Sequence, residues 1–302
     1  MTDQKLKEEI IALKNKKRAL FLVHNYQRGE IQDIADYLGD SLGLAQQAAE
    51  HPAELIVFCG VWFMAESAKI LSPKKKILLP RREADCFMAR MVDVEGLRQL
   101  KQKHPDAKVV SYVNTNADIK AESDVCCTSA NAVKVVEGIE ADTIIFTPDR
   151  NLAKYAQRFT TKKIIPWDGY CYVHARITPE EVIEAKEKHP DAAFIAHPEC
   201  EPPVIDLADE VLSTGGMVRF AKESDYKKII IGTEEGLLYR LKKENPGKKF
   251  YTAGSAKMCW NMKINTLEDV YLSLKEDRYQ IEVEESILEK ARVALERMLL
   301  YT

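Results

Sequence analysis

Cys86, Cys171 and Cys259 are the residues of this 302-residue chain whose type and spacing first ask for chemistry. They stand 85 and 88 residues apart, too far for the local C-x-x-C pairs that hold zinc or exchange thiols, and no such pair occurs among the seven cysteines. Each closes a register of matching positions. With His24, Tyr112 and His197 as starting points, Tyr26, Asn114 and Glu199 follow two residues on, and the acids Asp36, Asp124 and Asp209 follow twelve residues on. Seventeen residues on come the hydroxyls Ser41, Ser129 and Thr214, and thirty-four on each copy reaches the apolar end of a run at Phe58, Phe146 or Ile231. The cysteines complete the series at offsets 62, 59 and 62. A register held over that length is an internal repeat, and a repeat dictates architecture.

Three thiolates converging from three repeats suit an iron–sulfur cluster or zinc. Structural zinc takes four protein ligands, usually in local pairs, and no fourth equivalent cysteine exists here. A cubane cluster held by three cysteines leaves one iron without a protein ligand, free to act as a Lewis acid on a bound oxygen during dehydration. Buried packing explains one cysteine well and three at matching offsets poorly. The hydroxyls Ser41, Ser129 and Thr214 open the helical stretches SLGLAQQAAE, SANAVKVVE and TGGMVRFAKE, where capping is the ordinary role. Three helix N-termini aimed at one centre would also offer N–H groups to an anion, so a small substrate carrying carboxylates or phosphate is expected. His24 with Tyr26, Tyr112 with Asn114, and His197 with Glu199 add acid–base groups at equivalent places. His174, three residues after Cys171, is placed beside the substrate, whereas His104 and His189 sit at helix ends and His51 reads as surface.

The elements that must position these groups follow from the apolar spacing. Leading helices are predicted over 4–17, 94–104 and 179–189, the last two ending in the same KHPDA, where proline stops the helix. First strands are ALFLV, KVVSYV and AAFIA; second strands LIVF, TIIF and KIII; third strands KILLP, KIIP and KKFYT. Short apolar runs alternating with amphipathic helices indicate an α/β fold of small parallel sheets covered on both faces. Three α/β/α units are expected over 1–87, 88–173 and 174–260, related by a pseudo-threefold axis around a central active site. A helical segment at 261–302 is expected to pack back on the first unit. Ligands of open parallel sheets bind beyond the carboxyl ends of the strands, which is where the starting residues of the repeat lie.

Composition excludes other classes. Lys and Arg total 44 against 47 Asp and Glu, and no stretch is basic enough to track phosphates, so no nucleic-acid partner is expected. The N-terminus lacks an apolar leader and no window is long enough to span a bilayer, so a cytoplasmic protein with no membrane partner is expected. Seven cysteines in that compartment favour metal or thiol chemistry over disulfides.

The motifs HNYQ, DIADYLGDSL, FMAE, YVNTNADIKAESD, CTSANA, HPEC, a trailing STG and MCWNMK, in that order over nearly the whole chain, resemble those of quinolinate synthases of the short, three-cysteine form. The resemblance implies condensation of iminoaspartate with dihydroxyacetone phosphate to quinolinate, phosphate and water, for NAD synthesis. It implies one 4Fe-4S cluster on Cys86, Cys171 and Cys259, with Tyr26, His197 and Glu199 catalytic. Substrate contacts carried over are His24, Ser41, Tyr112, Asn114, Ser129, His174, His197, Glu199, Ser213 and Thr214. A transient contact with the enzyme that supplies iminoaspartate is also implied. One departure is Phe87, where the resemblance leads to proline. Two other readings share the cysteines: an aconitase-like hydro-lyase acting on another small acid, and a non-catalytic iron–sulfur sensor.

Overall fold

The computed structural model describes residues 2–301. The predicted strands form three separate four-stranded sheets, every neighbouring pair parallel. In the first, α1 (Asp3–Lys17), β1 (Leu20–His24), α2 (Gly29–Gln32), β2 (Tyr37–Gly39), α3 (Ser41–Glu50), β3 (Leu55–Cys59), α4 (Trp62–Leu71) and β4 (Lys76–Leu78) follow one another. The second repeats the pattern with α5 (Val94–Lys103), β5 (Lys108–Tyr112), α6 (Ala117–Ala121), β6 (Val125–Cys127), α7 (Ala132–Gly138), β7 (Thr143–Thr147), α8 (Arg150–Gln157) and β8 (Lys163–Pro166). The third does so with α9 (Pro179–Lys188), β9 (Ala193–Ala196), α10 (Pro202–Ile205), β10 (Glu210–Val211), α11 (Thr214–Glu223), β11 (Lys228–Gly232), α12 (Leu237–Glu244) and β12 (Lys249–Thr252). The strand orders β2-β1-β3-β4, β6-β5-β7-β8 and β10-β9-β11-β12 are identical in pattern.

Apolar runs mark three strands per unit, and each sheet has a fourth. It is the two- or three-residue edge strand β2, β6 or β10, too short to show as an apolar run. The acid of the repeat, just before this strand, explains how so short an edge is held. Asp36, Asp124 and Asp209 each accept the main-chain N–H of Phe21, Val109 or Phe194 at 2.8, 2.8 and 2.7 Å, and each donates its own N–H back to that residue's carbonyl. A lysine pairs with every one: Lys14, Lys108 and Lys186, at 2.7, 3.1 and 3.3 Å. The carboxylate thus satisfies a strand donor that would otherwise be orphaned.

Contacts between units run in one cyclic direction. Glu66 on α4 accepts the Ala117 N–H of the second unit at 3.0 Å. Asn151 on α8 donates to the Glu199 carbonyl of the third unit at 3.2 Å. The Gly236 carbonyl, just before α12, accepts Gln32 Nε2 of the first unit at 2.9 Å. Each unit therefore grips the first-strand loop of the next, and the series closes on itself as a ring does.

The chain ends with α13 (Trp260–Lys263), α14 (Leu267–Glu276) and α15 (Glu285–Met298). A single docking place on the first unit is too simple for this segment. Helix α14 lies on α1 and β3 of the first unit, but α15 lies on α6 and β6 of the second as well as on α4. Its buried face is Leu288, Ala291, Ala294, Leu295 and Met298, and each large side chain buried there contributes about 1.5–3 kcal/mol. Periodicity shows that a helix face is covered, not by what. Among the described residues, no helix is long and apolar enough to cross a membrane.

Candidate active site

One cavity lies where the carboxyl ends of β1, β5 and β9 meet. His24 closes β1, Tyr112 closes β5, and His197 stands one residue beyond β9. All three line the cavity and all are buried, at 4 % exposure or less. The turn after the strand fixes both imidazoles the same way. His24 Nδ1 accepts the Tyr26 N–H at 3.2 Å, and His197 Nδ1 accepts the Glu199 N–H at 3.4 Å. Burial pushes both rings down to about 3, so they are neutral at physiological pH. With Nδ1 occupied as an acceptor, the proton of each neutral ring sits on Nε2, which becomes a hydrogen-bond donor.

Tyr26, Asn114 and Glu199, two residues further on, also line the cavity. A continuous chain of close polar contacts links two of them. The Tyr26 hydroxyl lies 2.5 Å from Thr233 Oγ1, which lies 2.8 Å from His174 Nε2. His174 Nδ1 is 2.8 Å from Glu199 Oε2, and the Tyr112 hydroxyl donates to Glu199 Oε1 at 2.6 Å. The chain Tyr26–Thr233–His174–Glu199–Tyr112 crosses all three units. The His174 and His197 rings stack at 4.7 Å. Burial alone would raise the Glu199 carboxyl, but His174 and His197, with the hydrogen bonds from His174 and Tyr112, hold it well below the usual carboxylate range. Burial and the Glu199 charge push both phenols, Tyr26 and Tyr112, upward, so each keeps its proton.

The hydroxyls answer the question of capping. Asp40 caps α3, taking the Gly43 N–H at 2.9 Å, and Ser213 caps α11, taking the Gly216 N–H at 3.2 Å. Ser41 and Thr214 are therefore first residues of their helices, and both line the cavity, as does Ser129 in the turn before α7. Thr214 Oγ1 also accepts Asn25 Nδ2 at 3.0 Å. Ser213, expected as a substrate contact, belongs to the cap and not to the cavity wall. A charge-assisted contact of this kind is worth about 1.5–3 kcal/mol, so alanine at Ser41, Ser129 or Thr214 should raise KM roughly ten- to hundred-fold with kcat little changed. Steady-state kinetics on the three variants checks this; unchanged KM in all three would leave the hydroxyls without a binding role.

The cysteine loops close the cavity. Cys86, Cys171 and Cys259 all line it and all carry free thiols, whereas Cys59, Cys126, Cys127 and Cys200 are buried elsewhere. The loops are tied pairwise. Asn261 Nδ2 donates to the Asp85 carbonyl at 2.6 Å, joining the third loop to the first. The Trp260 N–H donates to the Tyr172 hydroxyl at 2.9 Å, joining the third to the second. Phe87, at the position where proline was expected, packs edge-on against Tyr172 at 5.7 Å and joins the first to the second. Burial pushes all three thiols up, Cys171 further because of the Glu199 charge, so they stay protonated unless a metal replaces the proton.

Three thiols on three mutually braced loops fit a cubane, in which each sulfur binds a different iron. Ligands to a single ion lie closer together, and among the described residues one such group occurs: Cys171, His174 and Glu199, with ligand atoms within 4.8 Å of one another. The ion-pair contact of His174 Nδ1 with Glu199 Oε2 at 2.8 Å, with Thr233 on Nε2 and the Tyr112 hydroxyl on Oε1, already accounts for that closeness.

Residues 8–300 match the family model described as Quinolinate synthetase A protein. The chain is 54% identical over 299 residues to a quinolinate synthase of Geobacter sp. (strain M21), covering 99% of this chain and 98% of that one. It is equally similar, with the same coverage, to a quinolinate synthase of Methanosarcina barkeri. A quinolinate synthase of Alkaliphilus metalliredigens is 49% identical over 300 residues, 99% of each chain.

Proposed function

Because this chain belongs to the quinolinate synthase family, we propose that it condenses iminoaspartate with dihydroxyacetone phosphate to give quinolinate, phosphate and water. The observation that carries this reading is the meeting, in one cavity, of three braced cysteines with acid–base groups from the first-strand ends of all three sheets. Cys86, Cys171 and Cys259 would hold a 4Fe-4S cluster, which when bound supplies an iron Lewis acid for an oxygen that leaves as water.

The chain's own residues have complementary work. The Nε2–H groups of neutral His24 and His197 donate to substrate carboxylate or carbonyl oxygens without adding positive charge. Ser41 and Thr214, at the N-terminal ends of ten-residue helices, offer hydroxyls where the helix dipole favours anions. As Tyr26 gives its proton to the substrate it regains one through Thr233 from Nε2 of a protonated His174, which is left neutral with its remaining proton on Nδ1; the Glu199 carboxylate stabilises that cation, which forms when the same groups first take a proton from the substrate. Run in reverse, the same relay removes a proton from carbon or oxygen. Most of the groups are buried, so bulk water competes little with these transfers.

The test is synthesis by the anaerobically purified chain, with iminoaspartate formed in place from oxaloacetate and ammonia. Quinolinate should appear only when dihydroxyacetone phosphate is also present; turnover of either substrate with no quinolinate would refute the reading. Tyr26→Phe removes the hydroxyl that faces Thr233 and little else. It should retain iron and bind substrate, yet lower kcat roughly hundred-fold or more, within the range for loss of a positioned acid. Rapid-quench product analysis checks it, and wild-type turnover would remove Tyr26 from the relay.

A further inference from the structure

A buried ion pair beside the third cysteine loop is left unused by the relay. Glu234 follows Thr233 just beyond β11 and is fully buried; Lys263 closes α13 and is 7 % exposed. Their charged atoms approach to 3.1 Å. Glu234 Oε1 accepts the Cys259 N–H at 3.0 Å, and Oε2 accepts the Gly236 N–H at 2.7 Å. Lys263 Nζ donates to the Tyr26 carbonyl at 2.5 Å, while the Lys263 carbonyl accepts Arg28 Nε at 2.7 Å. Space here is tight: a Cβ on Gly236 would stand 2.6 Å from the Tyr26 carbonyl oxygen.

A buried pair of charges is a weak source of stability, because desolvation offsets most of the attraction. Its geometry is more informative. One pair touches the backbone of Tyr26 and the main chain of Cys259, and Glu234 is itself the residue that follows Thr233. The two hydroxyls at the outer end of the relay, Tyr26 and Thr233, come from different units and must meet within 2.5 Å. Nothing in either loop alone sets that distance.

We propose that Glu234 and Lys263 are a positioning pair, which sets the Tyr26 phenol against Thr233 and holds the Cys259 loop in the same register. The kinetic consequence rests on the reaction proposed above; the structural consequence does not. Two variants separate positioning from stability. Lys263→Met removes the donor to Tyr26 and leaves Glu234 buried without its cation. Lys263→Met combined with Glu234→Gln removes both charges, and it carries the same comparison should the single variant fail to fold.

Crystal structures of the variants and steady-state kinetics per iron-loaded chain are the measurements. Both variants should separate the Tyr26 hydroxyl from Thr233 beyond hydrogen-bond reach. Both should lose roughly ten- to hundred-fold in kcat at unchanged KM, since misplacement by about 1 Å can cost about a hundred-fold. The double variant should regain melting temperature relative to the single one without regaining kcat. A double variant with wild-type kcat, or an unmoved Tyr26 hydroxyl in either structure, overturns the proposal. If the wild-type chain itself makes no quinolinate, the reaction is misassigned, and the crystallographic position of Tyr26 still decides the role of the pair.

Discussion

Glutamine at Glu199 is expected to lower kcat roughly a thousand-fold while leaving the iron content of the chain unchanged. Glu199 is the one carboxylate to which the relay and the Tyr112 side of the cavity both connect, with His174 at 2.8 Å and the Tyr112 hydroxyl at 2.6 Å. The amide has nearly the same shape, so the fold should survive. It carries no charge to stabilise a protonated His174, and its NH2 group must face either a phenol or an imidazole that already offers a proton. General acid–base groups contribute about a hundred- to ten-thousand-fold, and this substitution disables the group that holds the transferable proton in place. Rate measurements with iron analysis on the same preparation check it. A loss below ten-fold with iron intact would mean that Glu199 only anchors Tyr112.

Serine at Cys86, Cys171 or Cys259 is expected to abolish cluster binding one position at a time, whereas alanine at Cys59, Cys126, Cys127 or Cys200 should leave it whole. The three ligand candidates sit on loops that brace one another through Asp85, Tyr172, Trp260 and Asn261, so loss of one thiolate leaves an otherwise unchanged socket with two. The other four are fully or almost fully buried, and their thiols are pushed up by burial, Cys126 to about 12, as expected of inert packing residues. Iron and sulfide counting after anaerobic reconstitution decides. Full iron in the Cys171→Ser chain would overturn the assignment of these three cysteines.

Much of this was legible in the residues, and what was missed has physical reasons. The repeat placed the strand ends correctly because apolar runs and the KHPDA helix stops are local signals that tertiary contacts did not override. Capping was read one residue late in two units. A hydroxyl at the start of a helical run is as compatible with the first helical position as with the cap, and Asp40 and Ser213 take the cap. Thr233 escaped notice because the other repeats carry Gly60 and Pro148 at its offset, so no repeated chemistry marks the position. The available clue was topological: β11 runs parallel to β9, and polar residues just beyond its carboxyl end must face the same centre as His197. Glu234 and Lys263 were hidden for a further reason. They are 29 residues apart, and only the folded chain brings them to 3.1 Å. The place of α15 on the second unit was likewise a matter of tertiary packing.

The measurement that bears most directly on the central claim is quinolinate formation followed across a series of anaerobic preparations with graded iron content. The rate should rise in proportion to iron and sulfide, levelling off at about four of each per chain, the content of one cubane cluster. Quinolinate formed at full rate by the iron-free chain, or none formed by the fully loaded one, would contradict the assignment of Cys86, Cys171 and Cys259 to the centre of this reaction.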